Sequence, residues 1–154
     1  MCKGFTEEHW LRCKADPVAL QAEMDNRLEA QRLDDDQGCK VYHMRMHLSK
    51  LNCTRSIVTT FYEHEDANTG LKIVAHSSQG NEAIISANRE MLGKDILANN
   101  ILSYMSAKPI EDGFELNWVC SVDLGGRLPG FVKKKINKSL SYAGIHIANY
   151  VMHN

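Results

Sequence analysis

No stretch of this chain is apolar for the roughly 20 residues that a membrane-spanning helix needs. Its first residues, Met1-Cys2-Lys3-Gly4, offer neither the apolar core of a secretory signal nor a glycine at position two for myristoylation. Charge of one sign is also lacking, because 18 Lys and Arg stand against 19 Asp and Glu and leave a formal net charge of −1. That balance argues against a nucleic-acid binder held by a global basic field. The five cysteines, Cys2, Cys13, Cys39, Cys53 and Cys120, are odd in number and form no Cys-x-x-Cys pair. Free thiols in a reducing compartment follow, and with them a soluble cytoplasmic protein.

Catalytic signatures are missing as well. There is no nucleophile elbow, no Gly-rich phosphate loop and no His-Glu-x-x-His pair. Nothing marks an enzyme, and no cofactor is expected. Asp34, Asp35 and Asp36 form an acidic triplet, but the alternating oxygen ligands and distant glutamate of a calcium loop are absent, which leaves a solvated turn. His43 and His47 share one face of an expected strand, with His64 and His76 on neighbouring strands. A zinc cluster is conceivable there, but exposed sheet histidines are the expectation, and no metal is assigned.

What is present is one domain over residues 1–154, without internal repeat or low-complexity linker; 44% hydrophobic content supplies a core without staples. Thr6 before Glu7 and Glu8 starts a short helix, and Asp16-Pro17 ends it while capping a second. The second helix carries Leu20, Met24 and Leu28 at four-residue spacing. Strands are expected at 41–48, 54–63, 71–78, 96–107 and 114–124, with a hairpin turn at Asp66-Ala67-Asn68-Thr69-Gly70. In the first strand Tyr42, Met44, Met46 and Leu48 alternate with His43, Arg45 and His47. Residues 81–92 read as a helix with Ile84, Ile85, Met91 and Leu92 on one side and Gly93 at its end.

The most specific segment is the junction after the last strand. Phe114, Leu116, Trp118, Cys120, Val122 and Leu124 form one apolar face, and the strand then breaks at Asp123-Leu124-Gly125-Gly126-Arg127-Leu128-Pro129. Two glycines permit positive φ in a sharp turn, and Pro129 suits the first turn of a helix. In that final helix Val132, Ile136, Leu140, Ala143, Ile147 and Tyr150 form an apolar stripe, with Lys133, Lys134, Lys135 and Lys138 mainly elsewhere. Strand, Asp-Leu-Gly-Gly-x-Leu-Pro turn and terminal helix together resemble the C-terminal end of START domains, the steroidogenic acute regulatory protein-related lipid-transfer modules. The resemblance extends over residues 24–151.

That resemblance implies an α+β helix-grip (START/Bet v 1-like) fold: a curved antiparallel sheet, a long C-terminal helix across its concave face, and two N-terminal helices. It also implies binding, and intracellular transfer, of a lipid or other hydrophobic ligand. The implied lining is Met44, Met46, Phe61, Ile73, Tyr104, Trp118, Cys120, Val132, Ile136, Leu140 and Ala143. Sequence does not separate an open tunnel from a core filled by side chains. The alternatives are an interaction scaffold without ligand and, third, a helix-grip hydrolase or cyclase. Two departures from the family stand out. Little before Lys40 has strand pattern, so the sheet is expected to be shortened, with residues 40–48 as an open edge and homodimer pairing through it. Arg55-Ser56 followed by Phe61 stands where many relatives carry Arg-Asp and a second arginine, with Arg45 as a substitute for headgroup contact and an outward-facing surface arginine as its plainer reading. The lysine face suggests transient contact with a membrane surface.

Overall fold

Alternation of apolar and polar residues produces one sheet. The computed structural model describes residues 2–25, 27–33, 39–48 and 52–154. The strands are β1 (Cys2–Lys3), β2 (Leu28–Leu33), β3 (Lys40–Leu48), β4 (Cys53–Glu65), β5 (Lys72–Ser77), β6 (Ile96–Leu97), β7 (Asn99–Ile110) and β8 (Gly113–Asp123). The helices are α1 (Glu7–Ala15), α2 (Pro17–Met24), α3 (Glu82–Ala87), α4 (Arg89–Leu92) and α5 (Gly130–His153). Strand order is β1-β8-β7-β5-β4-β3-β2 with antiparallel neighbours, and β6 adds a short parallel bridge to β4.

Local chemistry sets the helix ends as the sequence indicates. Thr6 Oγ1 accepts from His9 N at 3.4 Å while His9 Nδ1 accepts from Thr6 N at 2.9 Å, a reciprocal cap with histidine in the usual glutamate position. Asp16 Oδ1 accepts from Ala19 N at 2.9 Å and so starts α2. Gly93, with φ of 57°, ends α4. Gly125 and Gly126 have φ of 64° and 61°, and a Cβ at Gly125 would lie 2.3 Å from Leu97 O. Only glycine fits that turn.

Three expectations change. Leu28 does not belong to α2, which ends at Met24; it opens β2, and Leu28↔Met46 through Leu33↔Val41 make a full ladder on β3. Leu, Glu, Ala, Gln and Arg all favour helix locally, but the bare hydrogen-bonding edge of β3 takes up their backbone groups instead. Residues 40–48 are therefore no open edge, and the expected pairing of two chains through them loses its premise. Strand pattern does exist before Lys40, in β2 and in β1, which pairs Cys2↔Phe114 and Lys3↔Gly113. Residues 115–123 of β8 have no strand partner on their outer side among the described residues. The single strand expected at 96–107 is split at Ala98, whose N–H donates to Ser56 O at 2.8 Å as the chain crosses β4. The acidic turn assigned to Asp34, Asp35 and Asp36 lies outside the described residues.

The sheet has two covered faces. On its inner face Tyr42, Met44, Ile57, Phe61, Val74, Met105 and Ala107 pack with Trp10, Cys13, Val18 and Leu20 from α1 and α2 and with Ile147, Ala148 and Val151 from α5. On its outer face Leu33, Val41 and Val58 pack with Leu92, Ile84, Ile85 and Met91 from α3 and α4. The helix reading of 81–92 thus holds as two short helices. The buried residues of α5 are Gly144, Ile147, Ala148 and Val151, all in its second half. Val132, Ile136, Leu140 and Ala143 are half-buried, and Lys133, Lys134, Lys135 and Lys138 are exposed.

Gly144 sits directly on Trp118: a Cβ there would lie 2.5 Å from the Trp118 Cβ and 2.6 Å from its Cγ. In an ordinary helix interior Gly→Ala gains about 1 kcal/mol. Here Gly144→Ala is expected to lose about 1 to 3 kcal/mol by forcing helix and sheet apart. Gly130→Ala, at a position with open space around it, is expected to be neutral or stabilising. Urea unfolding of both variants checks this, and a Gly144→Ala protein more stable than the parent would refute the close approach.

Candidate functional site

The candidate site is the space between the inner face and α5. Trp118 rises from β8 into it, half-buried, and its Nε1 donates to Leu140 O at 3.0 Å. Phe61 stacks on His76 with centroids 4.7 Å apart and planes at 9°, and His76 meets Trp118 at 6.4 Å. Between them remains a cavity of about 20 Å³, bordered also by Val74, Met105, Ile147, Cys13, Leu20 and Gln21. That is room for one water molecule and not for a lipid chain. At this place the interior is thus close to the filled alternative.

Of the residues expected to line a pocket, Phe61 and Trp118 border this cavity, and Met44 belongs to the same core with Met46 on the same face. Cys120 faces inward beside Ser103, and Val132, Ile136, Leu140 and Ala143 lie half-buried on α5. Ile73 and Tyr104 are corrections. Ile73 pairs with His64 and Ser106, and Tyr104 with Ala75 and Val119, all on the outer face. Their strands are in phase with Phe61 and Trp118 at alternate positions, Val74 and His76 on β5 and Met105 on β7 among them. Those three were missed, although the run Lys72, Val74, His76 carries the period-two signal; a histidine at its end reads as exposed.

A polar layer lies on the inner face. Asn100 Nδ2 donates to the backbone carbonyl of His76 at 3.2 Å, which fixes the amide; Ser103 Oγ then donates to Asn100 Oδ1 at 2.8 Å, and Nδ2 also contacts His76 Nδ1 at 2.8 Å and Thr59 Oγ1 at 3.4 Å. An amide nitrogen only donates, so His76 Nδ1 accepts and the ring proton resides on Nε2. Burial pushes the His76 pKa down to about 4. Two thiols are also dulled by burial: Cys13 is pushed up to about 12, and Cys120 is raised.

Arg55, the third polar element, is 1% exposed. Its Nε donates to Leu124 O at 2.7 Å and its Nη1 contacts Cys53 Sγ at 3.3 Å, so it fastens the start of the Gly125-Gly126 turn to β4. A buried arginine was not foreseen, and this one is committed to the root of α5. Arg45 does not reach the inner face. It pairs outside with Asp95 at 2.7 Å and Glu29 at 2.9 Å, where its hydrogen bond holds the Asp95 carboxyl below its usual range.

The histidines divide in a way not expected. His43 and His76 are buried, 3% and 8% exposed, while His64 is exposed and His47 partly so. His43 Nε2 lies 3.0 Å from Ser56 Oγ, which donates to Asp95 Oδ2 at 2.8 Å. This is a relay ending on the carboxylate through serine, with Ser56 fully buried and His43 bonded to the serine rather than to a carboxylate, so it does not present a nucleophile. Among the described residues no three His, Cys, Asp or Glu side chains are grouped to hold a metal ion.

The buried neutral His76 makes a pH test. An unfolded histidine titrates near 6.5 and the folded one near 4, so between those values the unfolded chain binds the extra proton and stability falls as pH falls. Urea titrations are expected to show the parent losing on the order of 3 kcal/mol more across that window than His76→Gln. Parallel pH profiles would show that the ring is not buried as described.

No family model matches the chain, and no curated protein matches its sequence. Solved structures do match. The structure of human STARD10 aligns with a TM-score of 0.70 at 12% identity, over 98% of this chain and 60% of that one. Human StAR-related lipid transfer protein 5 aligns with 0.70 at 16% identity, over 97% and 73%. The lipid transfer and protein localization domain of human StarD13 aligns with 0.62 at 15% identity, over 97% and 70%. This chain therefore spans 60 to 73% of the length of those three. With its antiparallel sheet and long C-terminal helix across one face, the chain has the START-like, helix-grip α+β fold.

Proposed function

We propose that this chain binds a lipid or other hydrophobic molecule between the inner sheet face and α5, as a cytoplasmic, non-catalytic carrier. The observation that carries the reading is the uneven seating of α5, which buries nothing before Gly144. Its second half is clamped by Trp118, α1 and α2, so its first half is the segment able to lift without unfolding the domain. Lifting it would open the inner side of β8, where Cys120 faces inward. The likeness in fold to structures titled as lipid transfer proteins supports the same reading.

Expelled ligand would leave beside Phe131, 75% exposed, and the exposed Lys133, Lys134, Lys135 and Lys138. An aromatic next to a lysine cluster suits brief contact with an anionic membrane surface. The second reading, an interaction scaffold with no ligand, is favoured by one observation, the water-sized interior.

Two measurements separate these readings. Native mass spectrometry of the purified chain, with organic extraction, is expected to show a co-purifying lipid in stoichiometric amount. A lipid-free chain that also fails to take up lipid from vesicles would favour the scaffold. Neutralising the four lysines is expected to abolish association with phosphatidylserine vesicles at low salt, where screening is weakest. Unchanged association would remove the membrane role.

A further inference from the structure

The cavity beneath Trp118 is bordered by apolar side chains apart from His76, Gln21 and the protonated thiol of Cys13, and no lysine, arginine, aspartate or glutamate lines it. His76 is 8% exposed and held on two sides, by its stack on Phe61 and by the Asn100 amide at Nδ1. Since Nδ1 accepts, Nε2 carries the proton, and that N–H has no hydrogen-bond partner among the described residues. No buried side-chain nitrogen or oxygen among the described residues is without a partner, so this N–H is not sealed from solvent, and an acceptor entering the cavity would exchange that contact for a hydrogen bond in apolar surroundings. The volume, about 20 Å³, is that of a single oxygen-sized group.

We propose that His76 Nε2–H is the recognition point for an uncharged oxygen, a hydroxyl or a carbonyl, at the buried end of the lipid, an assignment that rests on the lipid-binding reading above. The absence of cations around the cavity makes an ionised carboxylate or phosphate there far too costly to desolvate. A neutral imidazole supplies direction without charge, and burial keeps it neutral by pushing its pKa down to about 4. Phe61 and Trp118 flank the ring with apolar surface, so a hydrocarbon chain beginning at that oxygen continues along the inner face toward Leu140, Ile136 and Val132. Asn100, Ser103 and Thr59 act behind the ring as positioning residues: they fix its tautomer and leave Nε2–H as the donor.

The test compares dodecane, dodecanol, methyl dodecanoate and dodecanoate, read by native mass spectrometry and by quenching of tryptophan fluorescence. The alcohol and the ester are expected to bind about tenfold more tightly than the hydrocarbon, the value of one buried hydrogen bond. At about pH 7, where it is ionised, dodecanoate is expected to bind more weakly than either. His76→Gln, which keeps an N–H donor, retains the preference, and His76→Phe loses it while hydrocarbon binding persists. Equal binding of alcohol and hydrocarbon, tighter binding of dodecanoate, or a preference that survives His76→Phe would each overturn the assignment and leave lipid binding standing. Binding of none of the probes overturns lipid binding itself and this inference with it. The parent series decides the matter even where His76→Phe does not fold.

Discussion

The contact of Trp118 with α5 holds the two layers of the molecule in register. Its indole lies against the bare backbone of Gly144 while its N–H donates to Leu140 O, one turn earlier in the helix. The carbonyl of residue 140 also belongs to the helical hydrogen-bond ladder, so the indole reads the helix axis rather than any side chain. Close backbone approach brings Ile147, Ala148 and Val151 down onto α1 and α2. Everything beyond that clamp, toward residue 130, is seated less deeply. The division of α5 into an anchored and a shallow half therefore follows from where one tryptophan and one glycine happen to meet.

A second constraint fixes the other end of the helix. Arg55 reaches from β4 to the carbonyl of Leu124 just before the Gly125-Gly126 turn, so the root of α5 is tied to the sheet by a buried guanidinium. Such a charge is tolerated inside only with strong partners. Helix root and helix end are thus both fastened, and the half-buried span between them is the compliant part. The polar layer of Thr59, His76, Asn100 and Ser103 lies on the sheet face that this helix covers, and its internal hydrogen bonds engage the His76 ring through Nδ1 alone.

Much of this was legible beforehand. The alternation from Phe114 to Leu124, the Gly-Gly break and the stripe on α5 depend on near neighbours, and local pattern reports near neighbours faithfully. What failed depended on distant ones. Leu28 through Leu33 carries helix-forming residues, and only the edge of β3 makes it a strand. Ile73 and Tyr104 were placed on the wrong face because a strand's alternation is visible while its phase against the next strand is not; one residue of slip exchanges the faces. Histidine was the hardest residue to place, since its polarity suggests solvent, whereas His43 and His76 are buried by partners that adjoin them only in the fold.

The pairing of β1 with β8 joins Cys2 to Phe114, the two ends of a loop that contains most of the chain. The other antiparallel ladders join strands much nearer in sequence, several of them by tight turns such as that between β7 and β8. Loop-closure entropy grows with the intervening length, so the local hairpins have the kinetic advantage and β1 docks on a sheet already assembled. With only two residues of ladder to repay that closure, the first strand is also the first to detach. The earliest loosening of this domain accordingly begins at its amino end, and it lengthens the bare margin of β8 before any core residue is disturbed.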